Sequence, residues 1–461
     1  MKCLVLSGLF TLLGYHILQA QTKVDAWLTT IDTAHRLQPQ IPLQFTTTPP
    51  SNIPTIHIYP DTSYQQMDGF GFALTGGSAQ HIIRMGASER QQLLQELFGT
   101  NNGDIGISYL RVSMGASDLN EFVFSYNDLP TGKTDVTLQH FDLKQDKLDV
   151  IPVLQAILRI NPRIKIMASP WSAPTWMKTN NNIQGGRLKN EYYEVYAQYF
   201  VKYIQAMQAQ GIHIDAITIQ NEPFNDGNTP SMQMFAKEQA RFIKQHLGPA
   251  FKKNHINTKI ILYDHNCDAP AYPISILTDP EARQYIDGSG FHLYAGNVSA
   301  MSKVHMAFPE KHLYFTEMMA VNRKEFNVAI PTDRIVVGAT RNWSRNVILW
   351  NLAADANNKP HTDNGGCSIC QGAITIEGNQ VQRNIAYYTI AHVSKFIPPA
   401  STRIQSSEVN NVSNVTFKTP GGKIVCLVAN KNTAAQSFLV AYQHQSFNYT
   451  LPAGAVVTFV W

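Results

Sequence analysis

The chain carries few charged residues for its length. Of its 461 residues, 15% are Asp, Glu, Lys or Arg, and the formal net charge is +4. No block of Lys and Arg resembles the basic stretches that follow nucleic-acid phosphates, so a nucleic-acid partner is not expected. The apolar fraction of 44% indicates instead a globular protein with a substantial core.

Nucleotide and metal motifs are missing as well. Gly69-Phe70-Gly71 and Gly76-Gly77 do not follow a G-x-G-x-x-G plan, and the sequence contains no P-loop. It also has neither an H-E-x-x-H motif nor an Asp-rich calcium loop. We therefore expect neither a cofactor nor a metal ion.

Apolar runs long enough to span a membrane are absent. Residues 4–18 form a short apolar run that follows Lys2 and leads to Ala20. The run is too short to cross a bilayer, and its pattern is typical of a secretory signal peptide. We predict that residues 1–20 are a signal peptide and that an exported chain, periplasmic or extracellular, begins near Gln21. No stable membrane insertion is expected.

Cysteine is scarce, with five residues, of which Cys3 lies in the predicted signal peptide. Cys367 and Cys370 form a C-x-x-C motif without the second pair that a zinc site needs. In an exported chain the preferred interpretation is a local disulfide, and free thiols are the alternative. Cys267 and Cys426 are expected to be unpaired apolar residues.

Segments typical of strands and of helices alternate through residues 65–398. Eight strands are predicted: Gln66–Phe72, Ile107–Ser113, Ile164–Ser169, Ala216–Asn221, Ile260–Tyr263, Gly290–Tyr294, Leu313–Glu317 and Val347–Asn351. Helical patterns lie between them at Ser88–Leu97, Asp149–Ile160, Glu191–Gln210 and Ser231–Leu247, the last with Gly248-Pro249 as a stop signal. Eight strands alternating with helices predict an α/β fold, a (β/α)8 TIM barrel.

A second domain is predicted at the C-terminus, over residues 399–461. Short alternating segments follow one another there: Val412–Lys418, Lys423–Asn430, Ser437–Tyr442, Phe447–Leu451 and Ala455–Trp461. Gly421-Gly422 is a predicted hairpin turn between the first two. These segments predict an accessory antiparallel β-sandwich. Residues 21–64, with a strand pattern at Thr55–Tyr59, are expected to contribute to it.

Two of the predicted barrel strands end on a glutamate. One stops at Asn221-Glu222-Pro223, where the proline prevents continuation, and another ends at Glu317. A carboxyl group is costly to bury unless it has a use, and the strands of such a barrel deliver their catalytic residues to one face. We therefore predict that both glutamates are catalytic. The alternative is two separate, solvated residues at the starts of loops.

A pair of carboxyl groups at one barrel face is typical of glycosidases. A separation of roughly 5 Å gives a retaining enzyme, and one of roughly 6.5–9.5 Å gives an inverting enzyme. The sequence alone leaves both mechanisms open.

Other strand ends supply an amide, a guanidinium and several aromatic rings. The predicted substrate-binding residues are Arg111, Trp171, Asn221, His292, Tyr294 and Trp350. Five of them have a purely structural alternative, which for Asn221 is a residue that forms a turn. Arg111 could form a structural ion pair, Trp171 could belong to an aromatic packing corner, and His292 and Tyr294 could be core residues with satisfied polar atoms.

Several motifs together resemble glycoside hydrolase family 30, which includes glucosylceramidases and bacterial and fungal β-1,6-glucanases. The motifs that carry the resemblance are Asp68-Gly69-Phe70-Gly71, Leu110-Arg111-Val112, residues 168–176, Asn221-Glu222-Pro223, His292-Leu293-Tyr294, Thr316-Glu317, residues 350–353 and residues 392–398. They occur in the family's order and span the chain from about Gln66 to Trp461.

The resemblance implies a barrel with a β-sandwich and retaining hydrolysis, with Glu222 as acid/base and Glu317 as nucleophile. It also implies that Trp171, Asn221, Tyr294 and Trp350 line the subsite for the sugar that is transferred. These residues define an expected carbohydrate site that needs no cofactor.

The chain departs from the glucosylceramidase pattern in its first loop. That pattern places an acidic residue, which binds sugar hydroxyls, after the threonine of this loop, whereas here Thr75 is followed by Gly76-Gly77. That acidic residue is therefore missing from this loop. The loop after Pro223 is also short, which further favours glucan over ceramide-type substrates.

The expected function is an exported, retaining β-glycosidase that acts on β-1,6-glucan or its oligosaccharides. A glucosylceramidase-like enzyme that acts on a glycolipid is the alternative. A third hypothesis, a carbohydrate-binding protein that has lost catalysis, is opposed by the presence of both glutamates.

Overall fold

A computed structural model describes residues 23–47, 52–321 and 326–461. The predicted signal peptide, residues 1–20, lies outside these ranges, as does Gln21. The described chain forms a closed eight-stranded parallel barrel and a β-sandwich. The predicted fold class is therefore confirmed.

The barrel strands run in chain order around the ring, and the eighth pairs with the first. They are Gly69–Leu74, Tyr109–Ser113, Lys165–Ser169, Ala216–Thr218, Lys259–Cys267, Ile286–Gly296, His312–Glu317 and Ser344–Leu349. The barrel interior is filled by Tyr109, Met167, Ala216, Ile261, Tyr314 and Ile348. Each of the eight barrel strands overlaps a predicted strand. The first predicted strand, however, began at Gln66, which is the last residue of a sandwich strand.

Helices surround the barrel. The α-helices are Gly76–Arg84, Ala87–Phe98, Val150–Ile160, Tyr193–Ala209, Ala236–Phe242, Gly248–Lys253, Ala271–Thr278, Pro280–Arg283, Ala300–Ala307, Ala329–Pro331, Gly338–Arg341 and Ile385–Ser394. Short 3-10 turns lie at Lys144–Lys147, Thr175–Met177 and Asn190–Tyr192, and π-helical segments at Ile243–Leu247 and Thr332–Val337. Among the described residues, no helix combines the length and the apolar character needed to cross a membrane.

The predicted stop at Gly248-Pro249 is wrong, because the helical path continues through it to Lys253. The π-helical segment Ile243–Leu247 precedes it and changes the hydrogen-bond register. Pro249 then lies in the first turn of the next helix, where a proline without an N–H is tolerated.

The Gly76-Gly77 loop is likewise the first turn of a helix, Gly76–Arg84. Thr75 caps this helix, because its hydroxyl oxygen accepts a 3.1 Å hydrogen bond from the Ser78 N–H. A Cβ atom on Gly76 would lie 2.0 Å from Nδ2 of Asn120. Gly76 therefore serves close packing beneath the second loop of the barrel.

The sandwich is built from both ends of the chain. Its ten strands are Lys23–Thr29, Gln38–Pro39, Leu43–Gln44, Thr55–Gln66, Thr402–Ser406, Ser413–Lys418, Ile424–Ala429, Gln436–Tyr442, Gln445–Leu451 and Val456–Val460. Lys23–Thr29 pairs with the last of these, and Thr55–Gln66 lies between Thr402–Ser406 and Gln436–Tyr442. Four of these strands were not predicted: Lys23–Thr29, Gln38–Pro39, Leu43–Gln44 and Thr402–Ser406. The residues between Lys23–Thr29 and Thr55–Gln66 show no single periodic pattern from which a strand could be predicted.

A small three-stranded sheet, Ala353–Ala354, Ile374–Glu377 and Gln380–Arg383, follows the eighth barrel strand. Residues 355–373, between its first two strands, include both cysteines of the C-x-x-C motif.

His392 connects the two domains. It lies on the helix Ile385–Ser394 and is fully buried. Its Nδ1 is 2.9 Å from the hydroxyl of Thr458, and its Nε2 is 2.8 Å from the hydroxyl of Thr29. Burial lowers the pKa of His392 to about 3, so the folded protein holds this imidazole neutral near pH 7.

We expect His392→Ala to reduce the free energy of unfolding by roughly 2–4 kcal/mol, because it leaves a cavity and removes both hydrogen bonds of the imidazole ring. Denaturant titration measures the change. The exposed His444, replaced by Ala, is the matched control and should change stability by less than about 0.5 kcal/mol.

The stability of the wild type should also depend on pH through His392. The pKa of His392 is about 3 in the folded protein and near 6.5 in the unfolded chain, so between these values His392 takes up a proton on unfolding. Its contribution to stability therefore falls as the pH falls through that range. A pH dependence unchanged in His392→Ala would contradict this assignment.

Candidate active site

A cavity of about 370 Å³ opens at the carboxyl ends of the barrel strands. Its lining includes Asp118, Trp171, Glu222, His265, Tyr294, Glu317 and Trp350. Five of these residues were predicted from strand ends. The other predicted residues, Arg111, Asn221 and His292, are buried and hydrogen-bonded to the cavity glutamates or to each other. The structure thus brings all eight predicted residues together.

The two glutamates approach each other closely. One carboxylate oxygen of Glu222, one of Glu317 and a ring nitrogen of His292 all lie within 4.8 Å of one another. This separation fits the short spacing of retaining glycosidases and not the wide spacing of inverting ones.

Arg111 organises the floor of the cavity from the second barrel strand. Its side chain is fully buried, and its Nη1 donates a 2.5 Å hydrogen bond to Oε2 of Glu317. Its Nη2 donates to Oδ1 of Asn221 at 2.7 Å and to Oδ2 of Asp264 at 2.8 Å. The two interpretations of Arg111 therefore both hold, since it pairs with a cavity glutamate and with a structural acid. Because the amide oxygen of Asn221 is engaged, its nitrogen is the end that can donate to a ligand.

Asp264 was not predicted as a site residue. The fifth strand skips register at this point, because Tyr263 and His265 pair with consecutive residues of the sixth strand. Asp264 is thus the extra residue of a β-bulge, with φ of 64°. The predicted strand ended one residue earlier, at Tyr263. An acid directly after a predicted barrel strand was therefore the sequence signal that could have identified Asp264 as a site residue.

Asp264 is the most heavily hydrogen-bonded acid of the site. Besides Arg111, the hydroxyls of Thr218 and Thr316 each donate to it at 2.6 Å. His292 Nε2 lies 3.1 Å from its Oδ1. Burial alone would raise the pKa of Asp264, but the charge of Arg111 and the bond from His292 hold it far below its ordinary value. Asp264 is therefore an anion throughout the physiological pH range.

His292 lies between Asp264 and Glu222, with its Nδ1 3.3 Å from Oε1 of Glu222. Burial would lower the pKa of His292, but the surrounding carboxylates, Glu317 first among them, raise it to about 9. The ring is therefore an imidazolium near pH 7, and both its nitrogens donate.

The backbone also positions Glu222. Its φ is 48°, in the left-handed region, and its N–H donates to the Asp264 carbonyl at 3.0 Å. The amide nitrogen of Asn225 donates to its Oε2 at 2.6 Å. Strained backbone of this kind is typical of functional sites.

The charges of the site nearly balance. Burial would raise the pKa of Glu222, but the hydrogen bond and the charge of His292 bring it below its ordinary value. Burial raises the pKa of Glu317, against the opposing charges of His292 and Arg111. The site holds three acids, Asp264, Glu222 and Glu317, and two cations, Arg111 and His292. When all three acids are ionised, one negative charge is in excess, and a single proton on either glutamate neutralises it.

Two indole rings form one wall of the cavity. Trp171 and Trp350 stack with ring centroids 5.4 Å apart, and the guanidinium of Arg111 lies 4.8 Å from the Trp171 ring. Trp176, farther along the same loop, instead donates from its indole N–H to the Asn127 carbonyl at 3.0 Å. The loop is therefore both a cavity wall, through Trp171, and a packing corner, through Trp176.

Asp118 is a further acid of the site that was not predicted from the sequence. It lies on the loop after the second strand and lines the cavity. Burial raises the pKa of Asp118 to about 8, with further contributions from the charges of Glu317 and Glu222. The first loop could not supply this acid, because Gly76 packs beneath Asn120 on the second loop.

Cys367 and Cys370 form a disulfide and both line the cavity. Nearby, the Thr362 N–H donates to the Asp118 carbonyl at 2.9 Å, and its hydroxyl donates to the Thr229 carbonyl at 2.7 Å. The disulfide loop is thereby anchored to two other loops of the rim. Cys267 and Cys426 are buried and free, as expected.

Among the described residues, one group has the spacing to hold a metal ion: Glu222, His292 and Glu317. Its histidine already uses Nδ1 toward Glu222 and Nε2 toward Asp264. A metal would have to displace the proton on Nδ1, against a pKa of about 9. The group is therefore suited to proton chemistry.

Comparison with known proteins identifies both domains. The model for "Glycosyl hydrolase family 30 TIM-barrel domain" matches residues 67–397, and that for "Glycosyl hydrolase family 30 beta sandwich domain" matches residues 401–459. The resemblance stated from the motifs is confirmed.

Curated relatives include two kinds of glycosidase. Endo-1,6-beta-D-glucanase neg1 of Aspergillus fumigatus is 36% identical over 362 residues, covering 74% of this chain and 72% of that protein. Lysosomal acid glucosylceramidase of Mus musculus is 27% identical over 438 residues, covering 88% of this chain and 82% of that protein. Among solved structures, the endo-beta1,6-glucanase BT3312 is 33% identical with a TM-score of 0.87, covering 95% of this chain and 99% of that chain.

We expect Asp264→Asn to lower the pKa of His292 by more than about one pH unit, because it removes a full charge 3.1 Å from the ring. Titration of 15N-histidine-labelled protein by NMR measures this pKa, with the signal assigned by its loss in His292→Gln. The NMR signal of the exposed His444 serves as an internal reference. An unchanged His292 pKa in a variant that keeps its melting temperature would contradict the assigned network.

Proposed function

The chain belongs to glycosyl hydrolase family 30, and from that premise we propose that it cleaves β-1,6-linked glucan by a retaining mechanism with Glu317 as nucleophile and Glu222 as acid/base. The observation that carries the proposal is the pair of glutamate oxygens within 4.8 Å of each other, held by Arg111 and His292. The substrate assignment is supported by the glucanase relatives, which are more similar to this chain than the glucosylceramidase.

In the first step a carboxylate oxygen of Glu317 attacks the anomeric carbon. In the free site the shared proton favours Glu317, whose pKa is raised, over Glu222, whose pKa is lowered, so the mechanism requires this proton to move to Glu222 when the substrate binds. Glu222 then transfers the proton to the glycosidic oxygen, the bond between that oxygen and the anomeric carbon breaks, and a glycosyl ester forms on Glu317. Arg111 and the Tyr294 hydroxyl, 3.0 Å from Oε1, donate to Glu317 and orient its carboxylate. Burial and the nearby Glu317 charge raise the pKa of Tyr294 well above its ordinary value, so it remains a donor.

In the second step Glu222 removes a proton from water, and the water oxygen attacks the anomeric carbon. The ester bond breaks, Glu317 is released as a carboxylate, and the product keeps the β configuration. The charges of Glu222 and Glu317 repel each other in the free site. Esterification removes the charge of Glu317, so Glu222 gives up its proton more readily and can act as a base.

The cavity wall suits a sugar ring. Trp171 and Trp350 offer apolar faces, and Asn221 offers a free amide nitrogen beside the attacked carbon. We assign Asp118, on the cavity lining, to the hydroxyls of the same sugar. With a pKa of about 8 it can donate as well as accept hydrogen bonds near neutral pH.

We further propose that the enzyme acts outside the cytoplasm. The signal-peptide pattern of residues 1–20 supports this location, although it lies outside the described residues. The Cys367–Cys370 disulfide at the cavity rim also fits an oxidising compartment.

The purified enzyme is expected to hydrolyse β-1,6-glucan and its oligosaccharides in preference to glucosylceramide. The products are separated by chromatography over time, which also distinguishes release of glucose from release of oligosaccharides. Glu317→Gln is the inactive control, and it should still bind the oligosaccharide. Activity confined to the glycolipid would reject the glucan assignment in favour of the alternative, and unchanged turnover in Glu317→Gln would reject the nucleophile.

Azide rescue separates the roles of the two glutamates. Glu222→Ala should lose on the order of 10²–10⁴-fold in turnover of glucan, and added azide should then give the β-glucosyl azide, because azide attacks the ester on Glu317. Glu317→Gly with azide should give the α-glucosyl azide from a β-glucosyl fluoride, because azide replaces the nucleophile in a single inversion. NMR identifies both products. The exposed Glu121→Ala is the control and should retain full activity. Exchanged product configurations would mean that the two roles are exchanged.

A further inference from the structure

Two exposed phenylalanines lie beside the acid/base on the loop after the fourth barrel strand. Phe224 is 39% exposed and Phe235 is 42% exposed, and their ring centroids are 6.0 Å apart. Phe224 also lines the active-site cavity. Exposed apolar rings at a site rim are typical of binding surfaces, because their exposure is unfavourable in the free protein.

The two rings are held rigidly. The Met234 N–H donates to the Pro223 carbonyl at 2.9 Å, which brings the two ends of the loop together. The hydroxyl of Tyr272 donates to the Met234 carbonyl at 2.6 Å, and the Tyr272 ring packs edge-on against Phe224. The surface is therefore formed before any ligand binds, which reduces the entropy lost on binding.

The position of Phe224 relative to Glu222 indicates that Phe224 lies on the leaving-group side of the site. Its ring lies edge-on to His265, with centroids 5.7 Å apart, and Nδ1 of His265 is 3.8 Å from Oε1 of Glu222. Glu222 gives its proton to the departing oxygen, so the groups next to it face the leaving group. The stacked indoles of Trp171 and Trp350 lie beside Arg111, which pairs with Glu317.

We propose that Phe224 and Phe235 form a leaving-group subsite, in which Phe224 stacks on the first sugar ring beyond the cleaved bond and Phe235 on the second. The assignment rests on the proposed function and deepens it, since a subsite for a continuing sugar chain permits cleavage within a glucan. A phenyl ring contacts the apolar face of a pyranose without requiring one arrangement of hydroxyls, which suits the flexible β-1,6 linkage.

The polar surroundings favour a sugar over a lipid chain. Asn225 and Asn228 line the same part of the cavity. The guanidinium of Arg187 lies 5.8 Å from the Phe235 ring and pairs with Glu238 at 3.2 Å. Two rings bordered by amides and an ion pair match the alternating apolar and hydroxyl faces of a saccharide better than they match an alkyl chain.

The test compares two substrates that share the transferred glucose and differ in the leaving group. Phe224→Ala should lower kcat/KM for a β-1,6-linked glucose tetrasaccharide by roughly tenfold, because it removes a stacked ring. For β-glucosyl fluoride, whose leaving group is a single atom, kcat/KM should stay within about twofold of the wild-type value. Phe224→Trp keeps a ring at this position and should retain most of the tetrasaccharide activity.

Phe235→Ala should impair the tetrasaccharide but not the disaccharide, which has no second leaving-group sugar. Phe122, which is 49% exposed and does not line the cavity, provides the matched control, and Phe122→Ala should leave both substrates unchanged. Melting temperatures of all variants should match that of the wild type and show that each one is folded.

Three outcomes would overturn the subsite. Equal losses on the tetrasaccharide and the fluoride in Phe224→Ala would place Phe224 in the glucose-binding or catalytic machinery. No loss on either substrate would mean that no sugar stacks there. Glucosylceramide is measured as a further substrate, and a loss in Phe224→Ala confined to it would assign the rings to an alkyl chain. Failure of the proposed function is distinct, because the wild-type enzyme would then not cleave the tetrasaccharide.

Discussion

The buried guanidinium of Arg111 is the group on which the rest of the site depends. A cation inside a barrel is tolerated only if it is paired and hydrogen-bonded, and Asp264 supplies the pairing charge at 2.8 Å. The donors of Arg111 then reach Glu317 and Asn221. Asp264, in turn, holds His292 and two threonine hydroxyls. One ion pair therefore determines the orientation of nearly every polar side chain on the floor of the cavity.

That ion pair requires irregular backbone, which the surrounding structure stabilises. Asp264 is the extra residue of a bulge in the fifth strand, and it and Glu222 both have positive φ angles. Regular strands would direct their side chains alternately inward and outward and could not aim Asp264 and His265 in this way. The regular barrel is thus a support for a few irregular positions at its carboxyl end.

The resulting charge distribution explains how one pair of like residues can divide the chemistry. Arg111 and the imidazolium of His292 offset two of the three carboxylates, so a single proton shared by the glutamates neutralises the site. Glu317 accepts from Arg111 and Tyr294, whereas Glu222 accepts from Asn225 and His292. The two chemically identical acids therefore have different hydrogen-bond neighbours, as the separate roles in the proposed mechanism require.

Local sequence patterns were sufficient to predict the eight-stranded barrel, the sandwich and the two glutamates that meet in the cavity. Periodic apolar segments mark strands wherever they occur, and parallel strands in a barrel bring their carboxyl ends to one face. The positions of Asp264 and Asp118 in the site could not be predicted in this way, because a bulge turns Asp264 inward and the course of a loop brings Asp118 to the cavity. The helix at Gly76-Gly77 belongs with them, since close packing against Asn120 is a contact between distant segments. Local patterns record periodicity, whereas bulges, loop paths and close contacts depend on partners that are remote in sequence.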